Sequence, residues 1–411
     1  MKKKITIPVF LLSIFIAVLV TFQCTFLAVS ESYEDRLAEA EAAVLPYEKL
    51  DYLRSVVDQY YLFSEGRDES DFDDFLAEMY LYYYVEDEFS TYYTAEAFEE
   101  YLYQAQGNLV GIGVSVAQSQ TDDTIQILYT MEDSPAREAG LLPGDWILAV
   151  DGVPVTEVGV EAAVNMVRGE VGTEVTILVS RTALDGTVTE FTVTMTRREV
   201  ISTSVLYSVT EADPTVAIIH ILQFDGTTPT QFKAAVEQMK ADGISKVIFD
   251  VRNNPGGAVD SVAAVLDMII ERGPIATLYD ANDNVMDRWT ATTAEHLDIP
   301  MVVLANEYTA SAGELFTQAL KDYELATVIG TQTFGKGVGQ SAFALPDGSW
   351  IYLTALYYDP PKSENYHKVG VTPDLTVELP EEYKNMLVLQ IPQSEDTQLA
   401  AAIATLNGEN D

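Results

Sequence analysis

The 411-residue chain contains a single cysteine, Cys24, so neither a disulfide framework nor thiol chemistry is written into it. Its three histidines, His220, His296 and His367, stand far apart, and with no HExxH and no Cys/His cluster a metal site has no sequence support. Positive charge is scarce. Lys and Arg number 23 against 64 Asp and Glu, a formal net charge of −41 that repels phosphate backbones and argues against nucleic acid as a partner. Internal repeats and low-complexity linkers are also missing. With 48% apolar and 21% charged residues, the chain instead reads as globular protein, long enough for two or three domains.

Positive charge does cluster once, at Lys2, Lys3 and Lys4, ahead of an apolar run from Ile5 to about Val20 and small residues ending Ala28-Val29-Ser30. That order is the signature of a secretory signal over residues 1–30. The weakly polar extension through Val29 also makes residues 5–29 long enough to span a bilayer as an uncleaved N-terminal membrane anchor. Both alternatives put the remainder outside the cytoplasm, secreted or anchored at the outer face of the cytoplasmic membrane. Cys24 is a poor lipidation site, because Thr21-Phe22-Gln23 lacks the small and aliphatic residues such sites prefer.

Residues 31–106 are expected to form a helical module. Apolar residues recur at helical spacing from Tyr33 to about Leu62, broken by Pro46, and the tyrosines of AEMYLYYYVEDEFSTYYTAEAFEEYLYQ are read as packing residues. From Leu109 the periodicity becomes that of short strands between Gly, Pro and Asp turns, with one helix at Val160 to Val167, which predicts a small β domain over 107–197. From Val216, the apolar runs VAIIHI, KVIFDV, MVVLAN and ATVIG alternate with helical patterns. Such runs are buried on both faces, so a parallel or mixed sheet covered by helices is expected over 198–385. A short amphipathic helix and an acidic tail close the chain over 386–411.

Chemistry concentrates between Met301 and Gln340. Ser311 sits among small residues just before a helical pattern, where a serine is most often an N-cap but where its hydroxyl is also open to a substrate. Lys336, between Gly335 and Gly337, supplies a base if burial makes it neutral, and Phe334 and Val338 are material for a dry pocket. Gln340 has the spacing to hold the lysine amine, and by spacing alone is equally well an ordinary surface polar residue. DVRNNPGG (250–257) follows an apolar strand and ends in glycines, so the N–H of Gly256 or Gly257 together with that of Ala312 would make an oxyanion hole, a tight turn being the plainer alternative. Gly330 to Gly337 nearly matches a phosphate-binding loop, but Gly337 replaces the required hydroxyl and a strand pattern follows, so a nucleotide site is not expected. A Ser-His-Asp triad through His367 stays open on residue types alone.

Taken together, TASAGE (309–314), TFGKGVGQ (333–340), DVRNNPGG and GVTPD (370–374) resemble the motifs of the carboxyl-terminal processing peptidases, the tail-specific serine proteases of family S41. The 25-residue interval from Ser311 to Lys336 matches that family as well. The resemblance extends from DEFSTYYT (87–94) to EDTQLAAAIATL (395–406). It implies an α+β and α/β multidomain fold: the N-terminal helical module, a β-sandwich-like PDZ domain, and a ClpP/crotonase-like α/β protease core. It also implies a serine endopeptidase without a cofactor, with Ser311 as nucleophile, Lys336 as general base and Gln340 orienting the lysine. The segment 109–179 is similar to a PDZ domain whose loop, Val110, Gly111, Ile112, Gly113 and Val114, captures the C-terminal carboxylate of protein or peptide substrates. Arg168 matches an arginine that couples peptide binding to activation in related enzymes. Family analogy makes the helical module and the C-terminal helix candidate homodimer contacts. Gly339 stands where many relatives have valine, a change expected to loosen the strand that carries Gln340. Gly313 replaces a serine on the helix side, which is expected to leave the attack geometry intact.

Overall fold

The computed structural model describes residues 75–409, except 80, 82–84, 86, 119–123, 184–185, 293–295 and 385. The signal or anchor and the helices expected between Tyr33 and Leu62 lie outside the described residues.

DEFSTYYT, expected to continue a helical module, makes a bend at Glu88 and Phe89 and then a short strand instead. Its residues Thr91–Tyr93 form strand β1, antiparallel to β18 (Trp350–Asp359). Alternating aromatic and β-compatible residues favour that conformation, and Tyr92 turns inward and is buried. Thr94 then ends the strand by accepting the Ala97 N–H at 3.2 Å, which caps helix α1 (Ala95–Ala105). The tyrosines do pack. Phe98 stacks on Trp350 with ring centroids 4.4 Å apart, and the Tyr101 hydroxyl donates to that of Tyr352 at 3.0 Å.

Strand β2 (Asn108–Gly111) leads into an antiparallel sheet of β3 (Val114–Gln118), β4 (Ile125–Thr130), β5 (Trp146–Val150), β6 (Val153–Pro154), β7 (Glu174–Thr182) and β8 (Val188–Thr196). Period-2 patterning is plain in β7, where Val175, Ile177 and Val179 are fully buried, while the residues between them are partly exposed. Helix α2 (Val160–Val167) closes this core through Ala163 and Val167. Strand β3 lies at the edge of the sheet. Strand β9 (Arg198–Ile201) returns to pair with β2.

The second half holds a six-stranded sheet in the order β10-β11-β12-β15-β16-β19, comprising Val205–Val209, Val216–Ile221, Lys246–Asp250, Met301–Ala305, Ala326–Gly330 and Leu375–Thr376. All neighbours are parallel except β10 and β11, the mixed sheet that its apolar runs predict. Both faces are buried. Ile219, Phe249 and Val303 meet α3 (Thr228–Ala241), α4 (Val259–Asp267) and α5 (Ala312–Asp322), whereas Ile218, Ile248 and Val302 meet Leu399 and Ala402 of α6 (Thr397–Leu406). A separate antiparallel sheet contains β1, β13 (Gly273–Tyr279), β14 (Val285–Ala291), β17 (Val338–Ala344) and β18 (Trp350–Asp359).

Candidate active site

Ser311 ends the turn between β15 and α5 with φ 53° and ψ −116°. A non-glycine residue in such a conformation costs about 1–3 kcal/mol, so the surrounding structure must impose it. Here Thr309 Oγ1 donates to the Val251 carbonyl at 2.8 Å and the Ala310 N–H donates to the Asn254 carbonyl at 2.9 Å, which ties the serine turn to DVRNNPGG. At the helix start, the Glu314 N–H is satisfied by the Ser311 carbonyl at 3.0 Å. Gly313 fits tightly, since a Cβ there would lie 3.2 Å from Thr309 Cγ2.

Glu314 is fully buried and joins the two halves of the site. One carboxylate oxygen accepts the N–H groups of Ser311 at 2.9 Å and Lys336 at 2.8 Å; the other accepts the Gly335 N–H and Thr333 Oγ1, both at 2.6 Å. Burial pushes its pKa up, and the bonds from Thr333, Lys336, Gly335 and Ser311 only partly counter this. Two buried tyrosines add to the scaffold: Tyr358 donates to the Lys336 carbonyl at 2.5 Å, and Tyr366 to the Ser311 carbonyl at 3.2 Å.

The glycines around Lys336 serve close packing. A Cβ on Gly337 would lie 2.1 Å from Asn365 Oδ1, and Gly335 has φ 95° with its carbonyl bonded to the Lys368 N–H at 2.8 Å. Strand β17 follows at once, in place of the helix that a phosphate loop needs. The Lys336 amine donates to Gln340 Oε1 at 3.1 Å and lies 4.4 Å from the centre of the Phe89 ring. Burial lowers its pKa, partly offset by the charges of Asp87 and Glu88. The dry wall is therefore Phe89, from outside the Met301 to Gln340 stretch. Val338 is buried as expected, but Phe334 is 49% exposed and reaches the lysine only by meeting Phe89 edge-on.

Among the described residues no hydrogen bond joins the lysine amine to the Ser311 hydroxyl. The structure brings Lys336 and Gln340 together directly, and Ser311 and Lys336 through Glu314. His367 lies edge-on to Tyr357, and none of the described hydrogen bonds links its ring to Ser311. Of the two glycine donors, Gly256 is a correction: its N–H is taken by Asn254 Oδ1 at 2.8 Å. The bridge to Phe224 uses the Gly256 carbonyl and the Ala258 N–H, leaving the Gly257 N–H on the opposite side of the strand. Ala312 N lies 2.9 Å from where a Gly256 Cβ would stand.

The front of DVRNNPGG is a structural lock. Arg252, buried, bonds Asp250 at 2.6 Å, Asp396 at 2.8 Å and Gln398 at 2.9 Å, which fastens α6 to the turn. Asp250 is fully buried yet held well below the usual carboxylate range, because Arg252 and His220 outweigh its desolvation.

In the other half, a cavity of about 280 Å³ runs between the edge of β3 and α2. Val110 to Val114, Val164 and Val167 line it, and Arg168 stands exposed at its rim. Gly111 and Gly113 have φ 158° and 73°; the second faces Ser134, whose Cβ would lie 2.4 Å from an added Cβ. Buried Arg197 fixes the wall by donating to the Met166 and Val167 carbonyls at 2.6 and 2.9 Å, which caps the last turn of α2.

Residue types alone did not assign roles to Asp87, Phe89, Glu314, Thr354, Tyr358, Tyr366 or Arg197. Only Glu314 carried a local signal, the Ser-x-x-Glu spacing of a capping box. The others act across 14 or more residues of sequence, in pairs that no short motif encodes.

Against known proteins, residues 215–377 match peptidase family S41 and residues 126–181 match a PDZ domain. The chain is 32% identical over 305 residues to the "Carboxyl-terminal-processing protease" of Synechocystis sp., covering 74% of this chain and 69% of that one. It is 33% identical over 307 residues to a "Probable CtpA-like serine protease" of Staphylococcus aureus, of whose length it spans 60%. A solved S41 protease structure from Bacteroides fragilis shares the fold, with a TM-score of 0.59 at 19% identity, covering 88% of this chain and 98% of that one. The chain belongs to peptidase family S41 and carries a PDZ domain.

Proposed function

We propose that this protein is a serine endopeptidase with a Ser-Lys dyad that takes the C-terminal tails of extracytoplasmic proteins into its PDZ groove and cleaves them at Ser311. The observation that carries this reading is the desolvated lysine, held by Gln340, whose loop shares the Glu314 carboxylate with the turn that strains Ser311. Neutral Lys336 takes the Ser311 proton as the hydroxyl oxygen attacks the scissile carbonyl. The N–H groups of Gly257 and Ala312 hold the oxyanion, and the lysine ammonium then protonates the leaving amine. Water releases the acyl group from Ser311 in the same way, with Lys336 again the base.

In the groove, a peptide adds as a strand to the open edge of β3, and the Val110 to Val114 loop takes its terminal carboxylate. Arg168 at the rim is placed to sense that occupancy. Residues 1–30 export the chain as a signal or retain it as an anchor, and a homodimer through the N-terminal module and α6 belongs to the same reading. The test is hydrolysis of an unfolded protein such as β-casein by the wild type and by Ser311→Ala and Lys336→Ala. Both variants are expected to be inactive. Turnover by Ser311→Ala contradicts the reading, and binding of peptide tails with no turnover by the wild type points to a non-catalytic PDZ scaffold.

A further inference from the structure

Lys336 is one end of a chain of hydrogen bonds that leaves the catalytic stretch altogether. Its amine donates to Gln340 Oε1 at 3.1 Å, Gln340 Nε2 donates to Thr354 Oγ1 at 3.0 Å, and Thr354 Oγ1 donates to Asp87 Oδ1 at 2.9 Å. Asp87 also accepts the Phe89 N–H at 2.8 Å, the Ser90 N–H at 2.9 Å and Ser90 Oγ at 2.7 Å, while Ser90 Oγ takes the Thr354 N–H at 3.0 Å. The segment before β1 is thereby fastened to β18 beside the lysine.

We propose that Asp87 and Thr354 are positioning residues that decide which end of the Gln340 amide faces the Lys336 amine. An ionised carboxylate only accepts, so the Thr354 hydroxyl must donate to Asp87 and has only lone pairs left for Gln340. Gln340 therefore turns its NH₂ to Thr354 and its carbonyl oxygen to the lysine.

The direction matters for a base. A neutral amine has two N–H donors and one lone pair. Giving an N–H to Gln340 Oε1 leaves the lone pair free for the serine proton; a flipped amide would place an N–H donor on that lone pair and would face the later ammonium with a second donor. The β-bulge between Gly339 and Gln340 turns the side chain toward both partners. Burial raises the Asp87 pKa, but the bonds from Ser90, Phe89 and Thr354 outweigh it and hold the carboxyl below its usual range, so the relay keeps its direction through neutral pH. The other groups facing the lysine are Glu88 at its amine, Glu314 on its N–H and Tyr358 on its carbonyl, with His367 across Gly335.

This inference rests on Lys336 being the base. It is tested in the full chain with Thr354→Val, Thr354→Ser and Asp87→Asn, reading kcat and KM on an unfolded protein. The pH dependence of Lys336 acetylation by acetic anhydride, followed by mass spectrometry, reads the lysine without any turnover. Thr354→Val is expected to lower kcat about tenfold or more at unchanged KM and to move the acetylation midpoint to lower pH. Thr354→Ser restores both, and the double variant with Asp87→Asn falls no further than the worse single variant. An effect through charge alone would spare Thr354→Val. Wild-type kcat and midpoint in Thr354→Val, equal damage from Val and Ser, or additive losses overturn the relay. Activity in Lys336→Ala overturns the base assignment instead, and the acetylation midpoints then decide the relay by themselves.

Discussion

The groove beside β3 and the cleft around Lys336 use opposite materials. The groove is lined by Val110 to Val114 and the valines of α2, and Arg197 caps the helix end beside it. The cleft depends on side chains whose polarity is fixed at every step: a buried glutamate with four donors, a lysine under an aromatic ring, and an amide turned by a distant carboxylate. A groove lined by backbone and small apolar side chains discriminates weakly among side chains, which suits the tail binding proposed for it. A polar cleft instead has one working arrangement, so single-atom changes there should act on turnover and leave binding alone.

Glu314→Gln should break this contrast most severely. The carboxamide sets an NH₂ group against N–H donors that now share a carboxylate, so kcat should fall about a hundredfold. Leaving buried donors unsatisfied should also cost about 1–3 kcal/mol of stability, read from urea denaturation. Next in size is Gly113→Val. The residue needs φ 73°, and a side chain there runs into Ser134. Tail binding should weaken about tenfold, roughly 1.4 kcal/mol, raising KM for tailed substrates while kcat on a short internal peptide stays the same. Equal loss on both substrates would erase the division of labour.

Smaller again, Phe89→Ala should admit water to the lysine, raise its pKa toward the ordinary value and shift the activity profile to higher pH. The sign follows from the depressed lysine pKa. Between the depressed lysine pKa and the ordinary 10.5 of an unfolded lysine the unfolded chain binds more protons, so this group costs stability at neutral pH and the cost fades as pH rises. Lys336→Met should therefore raise the melting temperature at pH 7 and lose that advantage near pH 10.5. Gly339→Val should do least, since the nearest atom to an added Cβ, Leu356 Cβ, is 3.6 Å away. The glycine expected to loosen β17 thus leaves room for valine.

The contrast also explains what could be read from the sequence. Ser311, Lys336 and Gln340 lie within 30 residues, in glycine-marked turns, and the apolar runs of β11, β12, β15 and β16 declare a sheet buried on both faces. The β1 strand was hidden because YYT fits a helical pattern until Tyr92 finds its place beside β18. Gly256 and Gly257 look alike in sequence. Only the Asn254 side chain, which takes one N–H and leaves the other, separates them. Asp87 and Thr354 lie 267 residues apart, so their bond is a property of the folded sheet.

Turnover in this cleft requires a lysine prepared as a base. The direct test is the titration of the Lys336 Cε chemical shift in full-length Ser311→Ala protein, beside the exposed lysines. A midpoint well below the roughly 10.4 of an ordinary lysine is the predicted result. A midpoint that coincides with that of the exposed lysines would contradict it.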